Sequence, residues 1–85
     1  MTPTAIVLPE LGAAAEEVRI SCWLVEEGDA VEAGDHVVEV RMRGITFDVS
    51  ASTSGVLARI ERPIGSVTET GDVLGWIQPG SSSRQ

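Results

Sequence analysis

The sequence predicts an all-β fold, a flattened sandwich of two antiparallel sheets with approximate internal twofold symmetry, and three observations carry that prediction. Apolar residues recur at every second position, as in Val18, Ile20, Cys22 and Leu24, rather than at every third or fourth. The stretches between them end in turn pairs such as Gly28-Asp29, Gly34-Asp35, Arg43-Gly44, Ser54-Gly55 and Gly71-Asp72. A block of eight residues bounded by glycines also returns thirty-seven positions later.

The elements follow in order. Residues 4–9 form a first strand, and the run of helix formers from Gly12 to Glu17 is too short to stand as a helix, so it reads as a loop. Strands are expected at 17–25, 36–42, 45–50, 55–61 and 73–77, with short pairings near 30–32 and 67–69. Gln78-Pro79-Gly80 and the serines after them are composed like a linker. The expected organisation is one domain over residues 1–78 and a flexible tail over 79–85.

The repeat explains how so small a chain can close a core. Gly28-Asp29-Ala30-Val31-Glu32-Ala33-Gly34-Asp35 reappears as Gly65-Ser66-Val67-Thr68-Glu69-Thr70-Gly71-Asp72, and at the same displacement Ile20 corresponds to Leu57 and Trp23 to Ile60. Each half reads as a strand, a bend bounded by glycines and a second strand. Neither half has enough apolar surface to be stable alone, so the two are expected to close on each other.

Composition bounds the function. Eighty-five residues with 42% apolar content make a single domain. Six arginines, no lysine and thirteen acidic residues leave a net charge of −7, which disfavours nucleic acid and anionic membranes, since both demand clustered cations. No stretch approaches the roughly eighteen apolar residues of a membrane span, and the N-terminus lacks the pattern of a signal peptide. Cys22 has no internal partner, and one Cys with His36 cannot assemble the usual metal site. A cytoplasmic, reducing setting is expected.

With the repeat in view, the chain resembles the lipoyl/biotinyl attachment family. The resemblance is carried by Val7-Leu8-Pro9-Glu10-Leu11-Gly12, by Trp23 through Asp35, by Gly55-Val56-Leu57, and by Gly65 to Gly71 leading into Val73–Ile77, together about residues 5 to 78. It implies the hammerhead type of β-sandwich, in which one lysine at the tip of a hairpin between the halves receives lipoate or biotin in amide linkage. In the family that lysine lies ten residues after the counterpart of Gly34 and eleven before the counterpart of Gly55, and both counts reach Gly44. The tip here reads Arg41-Met42-Arg43-Gly44-Ile45, where lipoyl domains typically carry Asp-Lys-Ala and biotinyl domains Met-Lys-Met. With no lysine in the chain, neither cofactor is expected, and arginine is no substitute because its guanidinium stays protonated.

Other candidates have plain structural readings. His36 has no nucleophile placed beside it by any motif and reads as a solvated histidine at a strand edge. Cys22 reads as a small buried hydrophobe and Trp23 and Trp76 as packing residues. Glu26-Glu27-Gly28-Asp29 lacks the ligand spacing of a calcium loop and reads as a solvated turn. No catalytic residue or metal ligand is expected, and the chain is not read as an enzyme. Arg41, Met42, Arg43, Gly44 and Ile45 form the candidate partner-binding site, with Arg41 and Arg43 expected to project to one side of an extended segment. The expected function is a non-modifiable lipoyl/biotinyl-like binding or assembly module whose protein partner belongs to a 2-oxo acid dehydrogenase or biotin-dependent carboxylase type of complex. The alternative is a true carrier domain of an acyltransferase subunit whose attachment residue has been lost or replaced.

Overall fold

The computed structural model describes residues 2–11 and 17–80. Alternation of buried and exposed positions produces eight strands: β1 Thr4–Val7, β2 Val18–Trp23, β3 Ala30–Val31, β4 His36–Met42, β5 Ile45–Ser50, β6 Gly55–Ile60, β7 Val67–Thr68 and β8 Val73–Pro79. They form two antiparallel four-stranded sheets, ordered β1-β8-β6-β3 and β5-β4-β2-β7. Their inner faces bury Ile6, Leu8, Ile20, Val37, Val38, Val40, Leu57, Leu74 and Ile77, among others, in one core. The all-β sandwich predicted from the period-two pattern is the fold observed.

A displacement of thirty-seven residues carries β2 onto β6, β3 onto β7 and β4 onto β8, so one sheet order maps onto the other. The register irregularities repeat as well, between Ile20 and Cys22 in β2 and between Leu57 and Arg59 in β6. The halves interleave, however, rather than each forming its own sheet. Short β3 of the first half pairs with β6 of the second, and short β7 of the second pairs with β2 of the first. The same exchange fixes the bends: Gly28 N–H donates to Leu57 O at 2.8 Å, and Gly65 N–H donates to Ile20 O at 2.9 Å.

Three expectations need correction. The strands at 4–9 and 17–25 end earlier, at Val7 and Trp23, because the chain then leaves the ladder to make turn bonds such as Leu8 N–H to Asp72 O at 3.0 Å. The expected boundary at 78 and 79 falls inside β8, where Gln78 pairs with Val56 and Pro79 with Gly55. Pro79 sits at the very end of the strand, where a missing N–H costs little. The expected loop at 12–16 and the tail residues 81–85 lie outside the described residues.

Candidate functional site

β4 and β5 make the longest hairpin, and a two-residue turn closes it. Met42 faces Ile45, Val40 faces Phe47 and Val38 faces Val49. Arg43 and Gly44 occupy the turn with φ of 56° and 80°. Positive φ at both central positions is the turn geometry whose twist matches the flanking strands, and glycine is favoured there because it has no Cβ to clash. A Cβ built on Gly44 would meet nothing within 4 Å, so a side chain at that position would have room.

The structure places the five candidate residues in different settings. Arg41 and Ile45 are exposed, but Met42 turns inward, is only 6% exposed and packs in the core. Arg43 lies in the turn rather than on an extended segment, so the expectation that it projects beside Arg41 does not hold. Instead Arg41 is paired across the sheet with Arg19 on one side and Thr46 on the other. Arg19 was not singled out by the sequence reading. Its outward position in β2 was visible from alternation, but its neighbour is set by register.

Arg19 is partly neutralised: its guanidinium donates to Glu17 Oε2 at 2.7 Å and to the Gly65 carbonyl at 3.1 Å. Arg41 makes no side-chain ion pair or hydrogen bond with a described residue. Further along the same face stand Glu39, Asp48, Cys22 and His36. Cys22 Sγ donates to Glu39 Oε1 at 3.6 Å, and His36 Nδ1 lies 3.1 Å from Asp48 Oδ2. Burial, with the Glu39 carboxylate adding to it, pushes the Cys22 thiol up. His36 opens β4, an inner strand of its sheet, and is exposed at that strand's end.

The acidic loops are more structural than their composition suggests. Asp29, Asp35 and Asp72 each accept the backbone N–H of the residue three positions earlier, from Glu26, Glu32 and Glu69, at 2.9, 2.9 and 3.0 Å. Glu27 Oε2 accepts the Ile60 N–H at 2.8 Å. Both tryptophans are half-buried and satisfied, Trp23 Nε1 donating to Arg62 O at 2.8 Å and Trp76 Nε1 to Glu61 Oε2 at 3.0 Å. Among the described residues no helix is long and apolar enough to cross a membrane.

Known proteins share both pattern and fold. Residues 4–77 match the biotin/lipoyl family model, described as that of biotin-requiring enzymes. The chain is 32% identical over 76 residues to the dihydrolipoyllysine-residue succinyltransferase component of the 2-oxoglutarate dehydrogenase complex of Bacillus subtilis, covering 89% of this chain and 18% of that protein. It is 38% identical over 64 residues to the dihydrolipoyllysine-residue acetyltransferase component of the pyruvate dehydrogenase complex of Rhizobium meliloti, covering 75% of this chain and 14% of that protein. The chain thus spans less than a fifth of either relative. Among solved structures, the lipoyl domain of the Azotobacter vinelandii 2-oxoglutarate dehydrogenase complex superposes with a TM-score of 0.72 at 23% identity, covering 91% of this chain and 98% of that one. Urea carboxylase of Kluyveromyces lactis superposes with a TM-score of 0.77 at 24% identity, over 92% of this chain and 6% of that one. At such identities these two establish the fold.

Proposed function

The chain belongs to the biotin/lipoyl family of carrier domains, and from that premise we propose that it is a non-acylated member, a cytoplasmic binding or assembly module for a protein partner in a complex of the 2-oxo acid dehydrogenase or biotin-dependent carboxylase type. The family normally carries lipoate or biotin, and its domains are attachment platforms rather than catalysts. One observation carries the reading: the hairpin tip consists of Arg43 and Gly44, in a chain with no lysine. Amide formation with a carboxylic acid cofactor needs a neutral amine. A guanidinium that stays protonated and a glycine do not fit that chemistry. What remains is a rigid sandwich that presents a projecting hairpin.

Intact mass tests the reading directly. Incubated with lipoate ligase or biotin ligase, ATP and the matching acid, the chain should gain no mass, and a gain of one lipoyl or biotinyl group would refute it. Arg43→Asp with Gly44→Lys should permit at least partial lipoylation, since a side chain at 44 has room, and left-handed φ costs a non-glycine residue only about 1–2 kcal/mol. A well-folded double variant that stays unmodified would show that this tip does not present a lysine as a carrier does. On the binding side, Arg41→Ala with Arg43→Ala should weaken affinity for a purified partner by roughly tenfold at most, because exposed ion pairs contribute about 0.2–1 kcal/mol each. Unchanged affinity would assign the tip to solvent.

A further inference from the structure

β5 is the outermost strand of its sheet, with β4 on one side and, among the described residues, no strand on the other. The turn fixes which of its backbone groups are spare. The pair closing a two-residue hairpin is hydrogen-bonded, and bonded and non-bonded pairs alternate from there. Met42–Ile45, Val40–Phe47 and Val38–Val49 are then the bonded pairs, so the N–H and C=O groups of Thr46 and Asp48 point away from β4. No backbone turn or loop bond among the described residues uses them. Ile45–Ser50 also holds no proline, the residue that commonly closes such an edge to pairing.

The side chains on this edge supply an independent observation. Asp48 is exposed and stands directly opposite Glu39 of β4 on the outward face, a cross-strand pair of like charges that repel. Their partners among the described residues are His36, whose Nδ1 lies 3.1 Å from Asp48 Oδ2, and the Cys22 thiol, 3.6 Å from Glu39 Oε1. Neither adds a cation to the net charge of −7, in which His36 is neutral. The arginines of this face do not supply one either. Glu17 holds Arg19, and Arg41, which faces Thr46 in the next row, makes no ion pair with Glu39 or Asp48. Spare backbone groups thus adjoin two carboxylates that, among the described residues, have no counter-charge.

We infer that the free edge of β5 takes up an extended basic segment of a partner protein as an added antiparallel strand, with a lysine or arginine of that segment opposite Asp48 and within reach of Glu39. The residue opposite Asp48 exchanges both backbone hydrogen bonds with it, and Thr46 pairs in the same way two positions along. An added strand lies about 4.8 Å from β5, so the basic side chain meets the Asp48 carboxylate directly. Arg41 sets the register: the segment carries a neutral side chain beside Thr46, because a cation there would face a second one. Charge agrees at both ranges, since a body of net charge −7 draws a basic segment in and the paired carboxylates hold it. The same net charge disfavours an acidic segment and a second copy of this chain alike. The inference rests on the docking reading above and gives its partner a chemistry.

The test uses the isotope-labelled full chain and a blocked peptide that alternates threonine and valine around one central arginine, with the same peptide carrying glutamate at its centre as control. At a concentration about four times its Kd the arginine peptide should slow exchange of the Thr46 and Asp48 amides roughly fivefold, while the control at that concentration leaves them unchanged. Methylating the backbone nitrogen of the central arginine should abolish the protection, since it removes a strand bond and keeps the charge. Asp48→Asn should weaken the arginine peptide several-fold, and Asp48→Arg should reverse the preference between the two peptides. Amide shifts in β2 and β8 report that each variant is folded; if Asp48→Arg disturbs them, Asp48→Asn decides. Four results would overturn the inference: no protection, equal protection by the arginine and glutamate peptides, undiminished protection by the methylated peptide, or protection that rises with chain concentration alone, which means self-pairing. If the peptides fail but Arg41→Ala with Arg43→Ala still weakens a purified partner, the edge inference falls and the docking reading stands.

Discussion

Asp72 gathers three interactions into one turn. Its Oδ2 accepts the Glu69 N–H at 3.0 Å and the buried Thr68 hydroxyl at 3.1 Å, and it lies 3.7 Å from Arg62 Nη2. The Glu69 hydrogen bond, helped by Thr68 and Arg62 and opposed by burial, holds its carboxyl below the ordinary aspartate value of 3.8. A lowered folded-state pKa contributes stability that is present above the unfolded value and lost as pH falls through the folded one. Asp72→Ala should therefore lower the urea midpoint at neutral pH, and the gap from the parent chain should narrow once pH drops below 3.8. Urea titrations on both sides of that value check it; a gap independent of pH would mean that the carboxylate charge does not contribute. The paired roles of Asp29 and Asp35 show why a cluster that reads as solvated charge also holds turns together.

At the scale of elements, the close approach of backbones decides more than propensity does. β8 runs through the middle of its sheet, and Gly75 lets the Trp23 ring lie against it. A Cβ there would come 2.8 Å from the Arg59 carbonyl and 3.0 Å from the Trp23 ring. Gly75→Ala should cost about 1–3 kcal/mol, the usual range for overpacking a well-filled site. Thermal unfolding measures it, and a loss under half of that would show that the Arg59 backbone and the Trp23 ring both give way. The β4–β5 hairpin follows a different rule: a Cβ at Gly44 would meet nothing within 4 Å, so that position is constrained by its positive φ and not by packing.

At the scale of the whole molecule, the interleaved halves make folding indivisible. A chain cut between Ser52 and Thr53 leaves β1 without β8, β2 without β7 and β3 without β6. Each fragment alone should show the circular dichroism of an unfolded chain, because sheets so reduced cannot bury a shared core. Mixing the two should restore the β signal with a midpoint below that of the intact chain. A first fragment that gives native amide shifts on its own would show that the exchange of β3 and β7 is dispensable.

The period-two pattern, the glycine turns and the thirty-seven-residue repeat determined by themselves that the chain is a pseudo-symmetric β-sandwich with a hairpin between its halves, because local alternation and turn chemistry are written residue by residue. The absence of an amine at the tip was equally a matter of sequence. Tertiary structure decided what depends on pairing: that short strands are exchanged between halves, that Met42 is buried while Arg41 is not, that Arg43 leaves the strand at positive φ, and that Arg19 of β2 stands opposite Arg41 of β4. Register across a sheet relates residues far apart in the chain, and it is set by the mutual burial of both sheets at once, which no single segment encodes.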